Sequence, residues 1–332
     1  MPKHLPQRKL GPYSVSSVGY GCMNISHAYG VPPPPEEGAK LLLEAYEDGV
    51  NFFDTAALYG FGANEELVGK TLKPHRQNIV LASKGGMAGV DGKRVINGSP
   101  AAVRKNCEDS LRRLQTDVID LYYLHRLDKS VPIEDSVGEM SRLVEEGKVR
   151  HLGLSEVSSQ TLKKACAVHP IVALQTEYSL WTRNPEISLL KTCEELGVTF
   201  VAFSPLARGF LGGKLLDVST LPANDIRRTM PRFYPENYPK NLQLLKEYEV
   251  IAKEQGCTMA QLALAWLLNK DKNLVVIPGT IRGQFLHENN AAGSIELSSD
   301  VMARLEKLIN QSTVIGGRYN EPTQKEIDTE EF

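Results

Sequence analysis

Ionisable and hydrogen-bonding side chains stand at the ends of short apolar runs along this sequence. The run Asn51-Phe52-Phe53 passes into Asp54-Thr55-Ala56, and Tyr59 follows. Ile79 to Ala82 ends in Ser83-Lys84, and Val118 to Leu124 ends in His125-Arg126. Further along, Ser155-Glu156, Gln175, Phe203-Ser204 and Pro278-Gly279-Thr280 hold the same place after other apolar runs. A carboxylate, a phenol, an ammonium and an imidazole are groups that hold, orient and move protons. Singly, each has an ordinary reading: Asp54 as a turn cap, Lys84 as a solvated charge, His125 as a satisfied polar residue. Together they gain weight if the runs are strands whose ends meet on one face.

Other chemistries lack their residues. The histidines form no HxH or HExxH pair, so no metal site is expected. No GxSxG elbow occurs, which disfavours a Ser-His-Asp hydrolase. Gly209-Phe210-Leu211-Gly212-Gly213-Lys214 is not a phosphate loop, because Arg208 and Leu215 stand where glycine and a hydroxyl residue are needed. Gly19-Tyr20-Gly21 is no dinucleotide fingerprint, since Asn24 takes the place of the last glycine. His125-Arg126-Leu127-Asp128 does not match a kinase catalytic triplet. Lysine plus arginine (38) nearly balance aspartate plus glutamate (40), a net charge of −2 that gives no global attraction to nucleic acid or an anionic membrane. Neither a signal-peptide core nor an apolar run of about 18 residues is visible. The five cysteines are scattered with no CxxC pair and read as free thiols, so a reducing, cytoplasmic location is expected.

The elements that must position these groups are short apolar runs alternating with amphipathic ones. Strands are expected at 17–21, 51–54, 79–82, 118–124, 149–154, 171–174, 199–203 and 274–277. Helical periodicity fills 36–47, 64–72, 99–114, 134–146, 158–167, 187–196, 242–253, 259–268 and 284–292. Ser99-Pro100 is a start signal and Gly147 a stop signal. Eight strand–helix units argue for a closed (β/α)8 TIM barrel in one domain spanning 1–332, and such barrels place their sites at the C-terminal strand ends. A hairpin over 8–16, around Gly11-Pro12, should precede the barrel. An extra helix over 298–309 should follow it. The segments 231–239 and 311 onward read as loops, the latter a tail that partly covers the site.

The motifs Gly49-Val50-Asn51-Phe52-Phe53-Asp54-Thr55-Ala56-Ala57-Leu58-Tyr59-Gly60, Asp120 to Arg126, Gly147 to Glu156, Gln175 to Leu180 and Ser204-Pro205-Leu206-Ala207-Arg208-Gly209 share an order and spacing. With Ile277-Pro278-Gly279-Thr280, they make a sequence that resembles the aldo-keto reductases over nearly its whole length. The resemblance implies an NADPH-dependent carbonyl reductase with the tetrad Asp54, Tyr59, Lys84 and His125. A free phenol has a pKa of about 10, and the Lys84 ammonium should lower that of Tyr59 so that it can pass a proton to the substrate oxygen. Asp54 would hold Lys84 in place, and His125 would hydrogen-bond that oxygen.

The same resemblance implies Ser155, Glu156 and Gln175 around the nicotinamide amide, with Gly21 and Met23 nearby and Phe203 stacked under the ring. Ser204, Leu206, Arg208 and Gly209 would cover the pyrophosphate. Gly279, Thr280 and Arg282 would meet the 2′-phosphate, and Glu288 and Asn289 the adenine. Many relatives carry Asn where Glu156 stands, so that contact is altered. Met23, Tyr59, Arg126, Trp181, Phe233 and Tyr319 are the implied lining of a pocket for a small carbonyl substrate. A nucleotide-binding regulatory subunit of the same fold with little turnover is the competing reading. The sequence leaves the substrate, the direction of reaction and the oligomeric state open.

Overall fold

The structure is a computed structural model in which residues 4–26 and 28–332 are described. Strands β1 (Gln7–Leu10) and β2 (Tyr13–Ser16) form the expected antiparallel hairpin. Then come β3 (Tyr20–Gly21), β4 (Phe52–Asp54) and β5 (Val80–Gly85). Strands β6 (Met87–Val90) and β7 (Lys93–Ile96) make a second hairpin. The series ends with β8 (Ile119–Leu124), β9 (Val149–Ser155), β10 (Ile171–Glu177), β11 (Thr199–Phe203) and β12 (Leu274–Val276).

Strands β3, β4, β5, β8, β9, β10, β11 and β12 pair in that order, every pair parallel. The two ends of the order meet. Val18 bridges Val276, the Gly19 amide donates to the Val276 carbonyl at 2.8 Å, and the Val276 amide donates to Ser17 at 3.1 Å. The sheet therefore closes on itself as a (β/α)8 barrel, and each parallel step needs a helical return across the outside. Those returns include α1 (Pro35–Glu47), α2 (Ala63–Leu72), α3 (Pro100–Leu114), α4 (Ile133–Glu145), α5 (Ser159–Val168) and α6 (Leu189–Leu196). The Ser99 hydroxyl accepts from the Ala102 amide at the start of α3, which confirms the signal read there.

Two segments depart from expectation. Residues 231–239 are not one loop: α7 (Tyr238–Leu242) begins within them and is followed by α8 (Leu244–Glu254). Pro239 sits in the first turn of α7, where a proline starts a helix and does not break it. The hairpin β6–β7 was not expected, because its residues are mostly exposed and show no apolar alternation. Its signal is the turn pair Asp91-Gly92, both left-handed at φ 49° and 73°. Helix α9 (Met259–Lys270), α10 (Gly283–Ala291) and the extra helix α11 (Ser299–Leu308) lie where the periodicity put them, and a short α12 (Glu321–Gln324) interrupts the tail.

Side chains alternate across each barrel strand. Phe52, Val80, Ala82, Leu121, Tyr123, Ala173, Val201 and Val275 pack together inside the barrel, with Leu10 and Val15 of the first hairpin closing its lower end. Their neighbours Phe53, Leu81, Tyr122, Leu124, Leu154, Leu174, Phe200 and Val276 belong to the outer core shared with the helices. Two residues beyond that inner set lie Asp54, Lys84, His125, Gln175 and Phe203. They form the next layer up, at the C-terminal mouth.

Candidate active site

The strand ends bring the four expected catalytic groups together. Lys84 is fully buried, and its Nζ donates to Asp54 Oδ1, to the Thr55 carbonyl at 2.9 Å and to Tyr59 Oη at 3.2 Å. Gln175 Nε2 donates to the second Asp54 oxygen at 2.8 Å. The Tyr59 and His125 rings meet edge to face, with centroids 5.8 Å apart. Tyr59 is not on a strand. It closes a turn after β4, its amide donating to the Ala56 carbonyl at 3.1 Å, and Gly60, Phe61 and Gly62 beyond it are all left-handed, at φ 56°, 52° and 101°, as the chain passes into α2.

Burial sets the charges. It opposes the Lys84 ammonium, but Asp54 and the Tyr59 oxygen outweigh it and hold that ammonium above its ordinary value. Burial pushes the Asp54 carboxyl up, yet its two oxygens face an ammonium and an amide donor, and we assign the ionised pair. The Tyr59 phenol is raised by burial, with the Lys84 charge pulling the other way. The expected lowering by Lys84 is thus present as a contribution but loses to desolvation, so the phenol stays protonated at neutral pH.

One continuous cavity of about 930 Å³ runs from this cluster across the barrel mouth. Its walls include Gly21, Met23, Tyr59, His125, Arg126, Ser155, Gln175, Phe203, Ser204, Leu206, Arg208 and Gly209. It ends among Gly279, Thr280, Arg282, Glu288 and Asn289. At its floor the backbones after β3 and β12 approach so closely that a Cβ on Gly21 would lie 2.7 Å from the Ile277 carbonyl. The loop after β11 winds through left-handed conformations at Ser204, Ala207, Arg208 and Gly209. Arg282 is exposed, precedes the nine-residue helix α10, and makes no ion pair among the described residues. An open guanidinium, the Thr280 hydroxyl and a helix N-terminus together suit a phosphate. The long groove, the half-buried Phe203 ring and this cationic end fit a dinucleotide. Among the described residues, no His, Cys, Asp or Glu cluster is arranged to hold a metal.

Three expected residues lie elsewhere. Glu156 does not line the cavity. It is fully buried, and its Oε1 accepts from Arg318 at 2.7 Å and from the Glu177 amide at 2.9 Å. A buried carboxylate takes a cation where one is offered, which here removes it from the amide-binding position. Trp181 and Phe233 also leave the cavity wall. Trp181 stacks on Phe210 at 4.0 Å, and Phe233 meets its edge at 5.2 Å. That aromatic packing buries both rings beneath the loops.

The fold matches known proteins over nearly its whole length. The model of the Aldo/keto reductase family matches residues 17–310. The chain belongs to the aldo/keto reductase family. A curated relative, "Probable aldo-keto reductase 1" of Glycine max, is 45% identical over 316 residues, which are 94% of this chain and 91% of that protein. The glycerol dehydrogenase of Gluconobacter oxydans superposes with a TM-score of 0.83 at 27% identity, covering 96% of this chain and 97% of its own. An aldo-keto reductase of Klebsiella pneumoniae in complex with NADPH gives 0.73 at 27% identity, covering 96% and 99%. Membership makes this chain an oxidoreductase, and a relative solved with NADPH supports a nicotinamide cofactor. Among the described residues, no helix is long and apolar enough to cross a membrane.

The reductase barrel also carries a network that the sequence motifs did not announce. Glu177, at the end of β10, accepts on one oxygen from Arg208 at 2.7 Å and from Arg318 at 2.9 Å. Burial opposes its ionisation, but Arg208, Arg318 and Arg232 hold it well below the ordinary carboxylate range. Arg208 also donates to the Tyr319 hydroxyl at 2.8 Å, and both guanidiniums flank the Phe203 ring at 5.7 and 5.9 Å. The tail is thereby pinned at the mouth, where Tyr319, Asn320 and Thr323 line the cavity. The only hint in the sequence was period two: Glu177 lies two residues beyond Gln175, on the inner side of its strand. Arg318→Met should strand Glu156 without a cation. Its melting temperature should fall by on the order of 5 °C, and the tail should become cleavable by protease at sites hidden in the parent. Unchanged melting and cleavage would show that the ion pairs do not secure the tail.

Proposed function

We propose that this chain reduces small aldehydes or ketones to alcohols with NADPH, using Tyr59 as the proton donor. The observation that carries the reading is Lys84 Nζ, which joins Asp54 to the Tyr59 hydroxyl at the catalytic end of a groove long enough for a dinucleotide. A bound nicotinamide supplies the hydride to the carbonyl carbon. The chain's own groups handle the oxygen. His125 lies beside Tyr59 on the cavity wall and orients the carbonyl. Tyr59 gives its proton as negative charge develops there, and the Lys84 ammonium stabilises the resulting phenolate. Asp54, fixed by Gln175, keeps that ammonium in place. Ser155 and the free valences of Gln175 would hold the nicotinamide amide. Ser204, Leu206, Arg208 and Gly209 would cover the pyrophosphate, and Gly21, Met23, Gly279, Glu288 and Asn289 would complete the groove. Tyr59, Met23, Arg126 and Tyr319 would face the substrate. We read the chain as one domain acting in the cytoplasm.

A screen of NADPH consumption across aldehydes, diketones, quinones and pyridoxal tests the reading. Absence of turnover with all of them, despite tight cofactor binding, would favour the regulatory-subunit alternative. Phe203→Ala should weaken cofactor affinity by about 1–3 kcal/mol through lost ring contact, whereas a tyrosine there should be tolerated. Fluorescence titration reads both, and an unchanged affinity in the alanine variant would reduce Phe203 to packing.

Cofactor choice should depend on Arg282. Its fork suits the 2′-phosphate, and a charge-assisted bond of this kind contributes about 1.5–3 kcal/mol. Arg282→Ala should therefore weaken NADPH roughly tenfold to a hundredfold and leave NADH nearly untouched. The difference should shrink with added salt, because the side chain is exposed. Equal losses for both cofactors would mean that Arg282 supports the loop and does not read the phosphate.

A further inference from the structure

We propose that the catalytic cavity contains a carboxylate-binding subsite built on Arg126, so that the favoured carbonyl substrates carry an anionic group. The inference rests on the reading of the chain as a carbonyl reductase and names its substrate class. Arg126 follows His125 directly after β8, and both line the cavity with Tyr59. The arginine is half-buried. Its Nη1 donates to the His125 carbonyl at 2.8 Å and to Ser155 Oγ at 3.4 Å. Those contacts fix the stem of the fork while using one nitrogen, and a guanidinium carries five N–H donors.

Most cations around Arg126 are matched. Arg94, Arg208 and Arg227 line the same cavity, and each is paired, with Glu326, Glu177 and Asp225 respectively. Lys214 and Arg282, also on the wall, make no ion pair among the described residues, and Arg282 lies at the cofactor end. Among the described residues, no carboxylate lies within ion-pair distance of Arg126. The acids on the cavity wall are Asp54, which already serves Lys84 and Gln175, and Glu288, which lies on α10 at the cofactor end. A half-buried guanidinium has lost part of its hydration without gaining an anion. A carboxylate arriving on the substrate restores that interaction in a planar, two-point geometry. One such cation suits a monoanionic carboxylate better than a doubly charged phosphate ester. The guanidinium also acts on Tyr59, which it helps to hold down against burial, so the two groups share one electrostatic environment.

The test compares 4-carboxybenzaldehyde with 4-nitrobenzaldehyde, which are alike in shape but differ in charge, and their different ring electronics cancel when the ratio of rates is compared between parent and variant. The ratio of their kcat/KM values should fall roughly tenfold to a hundredfold in Arg126→Met, mainly through the KM of the carboxylated aldehyde. Arg126→Lys should recover part of it, because a point charge replaces the fork. Added salt should narrow the ratio in the parent. Benzoate binding to the NADP+-loaded protein, read by calorimetry, should weaken in Arg126→Met by a similar factor. Equal losses on both aldehydes would overturn the subsite and make Arg126 a support for Ser155. A parent that reduces both aldehydes in a ratio insensitive to salt and does not bind benzoate would also overturn it, leaving the reductase reading intact. Arg126-dependent benzoate binding with no reduction of any carbonyl would uphold the subsite and sink the reductase reading.

Discussion

Replacing Tyr59 by phenylalanine should lower the rate of carbonyl reduction by on the order of a hundredfold or more while leaving NADPH affinity nearly unchanged. The substitution keeps the ring that packs edge-on against His125 and removes only the hydroxyl that Lys84 addresses at 3.2 Å. The substrate oxygen would then receive its proton from a less well-placed source. Single-turnover kinetics under saturating cofactor isolates the step. Parental turnover in the variant would remove Tyr59 from the mechanism and leave His125 as the proton source. The pH profile should carry the same signature. Burial raises the Tyr59 phenol above its ordinary value, so reduction should hold level from neutrality up to at least about pH 10 and fall only above it. A decline at lower pH would assign the profile to a group other than the Tyr59 phenol.

Lys84→Met should be comparably damaging, again by roughly a hundredfold, and for an electrostatic reason. The ammonium opposes the burial that raises the phenol, so its loss leaves only Arg126 opposing burial and raises the phenol further. Proton donation is not blocked by ionisation in that variant, because the phenol stays protonated. What is lost is stabilisation of the phenolate that forms as the proton leaves. In the reverse reaction the phenolate is the base, so alcohol oxidation should shift to still higher pH than in the parent. The variant also strands Asp54 in a buried position with only Gln175 as donor, and its melting temperature should fall too. Measuring the pH shift of oxidation separates the electrostatic role from this structural one. A loss of rate with an unshifted profile would mean that Lys84 acts only by holding the site together.

The two predictions differ in what the fold must contribute. The Tyr59 hydroxyl meets Lys84 because the turn over 56–59 after β4 is closed by the Tyr59 amide on the Ala56 carbonyl at 3.1 Å, and the left-handed Gly60, Phe61 and Gly62 then lead the chain away into α2. Lys84 and Asp54 need no such device. Each is the next inward residue of its own strand after Ala82 and Phe52, so the alternation that packs the barrel also aims them at one another. That is why a pattern of polar residues closing apolar runs points to most of the groups gathered at the candidate site. Asp54, Lys84, His125, Ser155, Gln175 and Phe203 all lie on the cavity wall or within its cluster.

The sequence by itself determined the alternation of strands and helices, hence the closed barrel, and the identity of the groups at its mouth. Both follow from local periodicity and from the rule that barrel strands point alternately in and out. Tertiary structure decided what each side chain does with its neighbours. Glu156 reads as a cofactor contact by position, but Arg318 lies 162 residues away along the chain and captures it, and no local pattern encodes that meeting. Trp181 and Phe233 read as pocket walls, but their rings find Phe210 and each other and turn inward. The balance between burial and the Lys84 charge on Tyr59 is likewise invisible in a linear sequence. Desolvation depends on everything that surrounds the phenol, and only the packed barrel mouth supplies those surroundings.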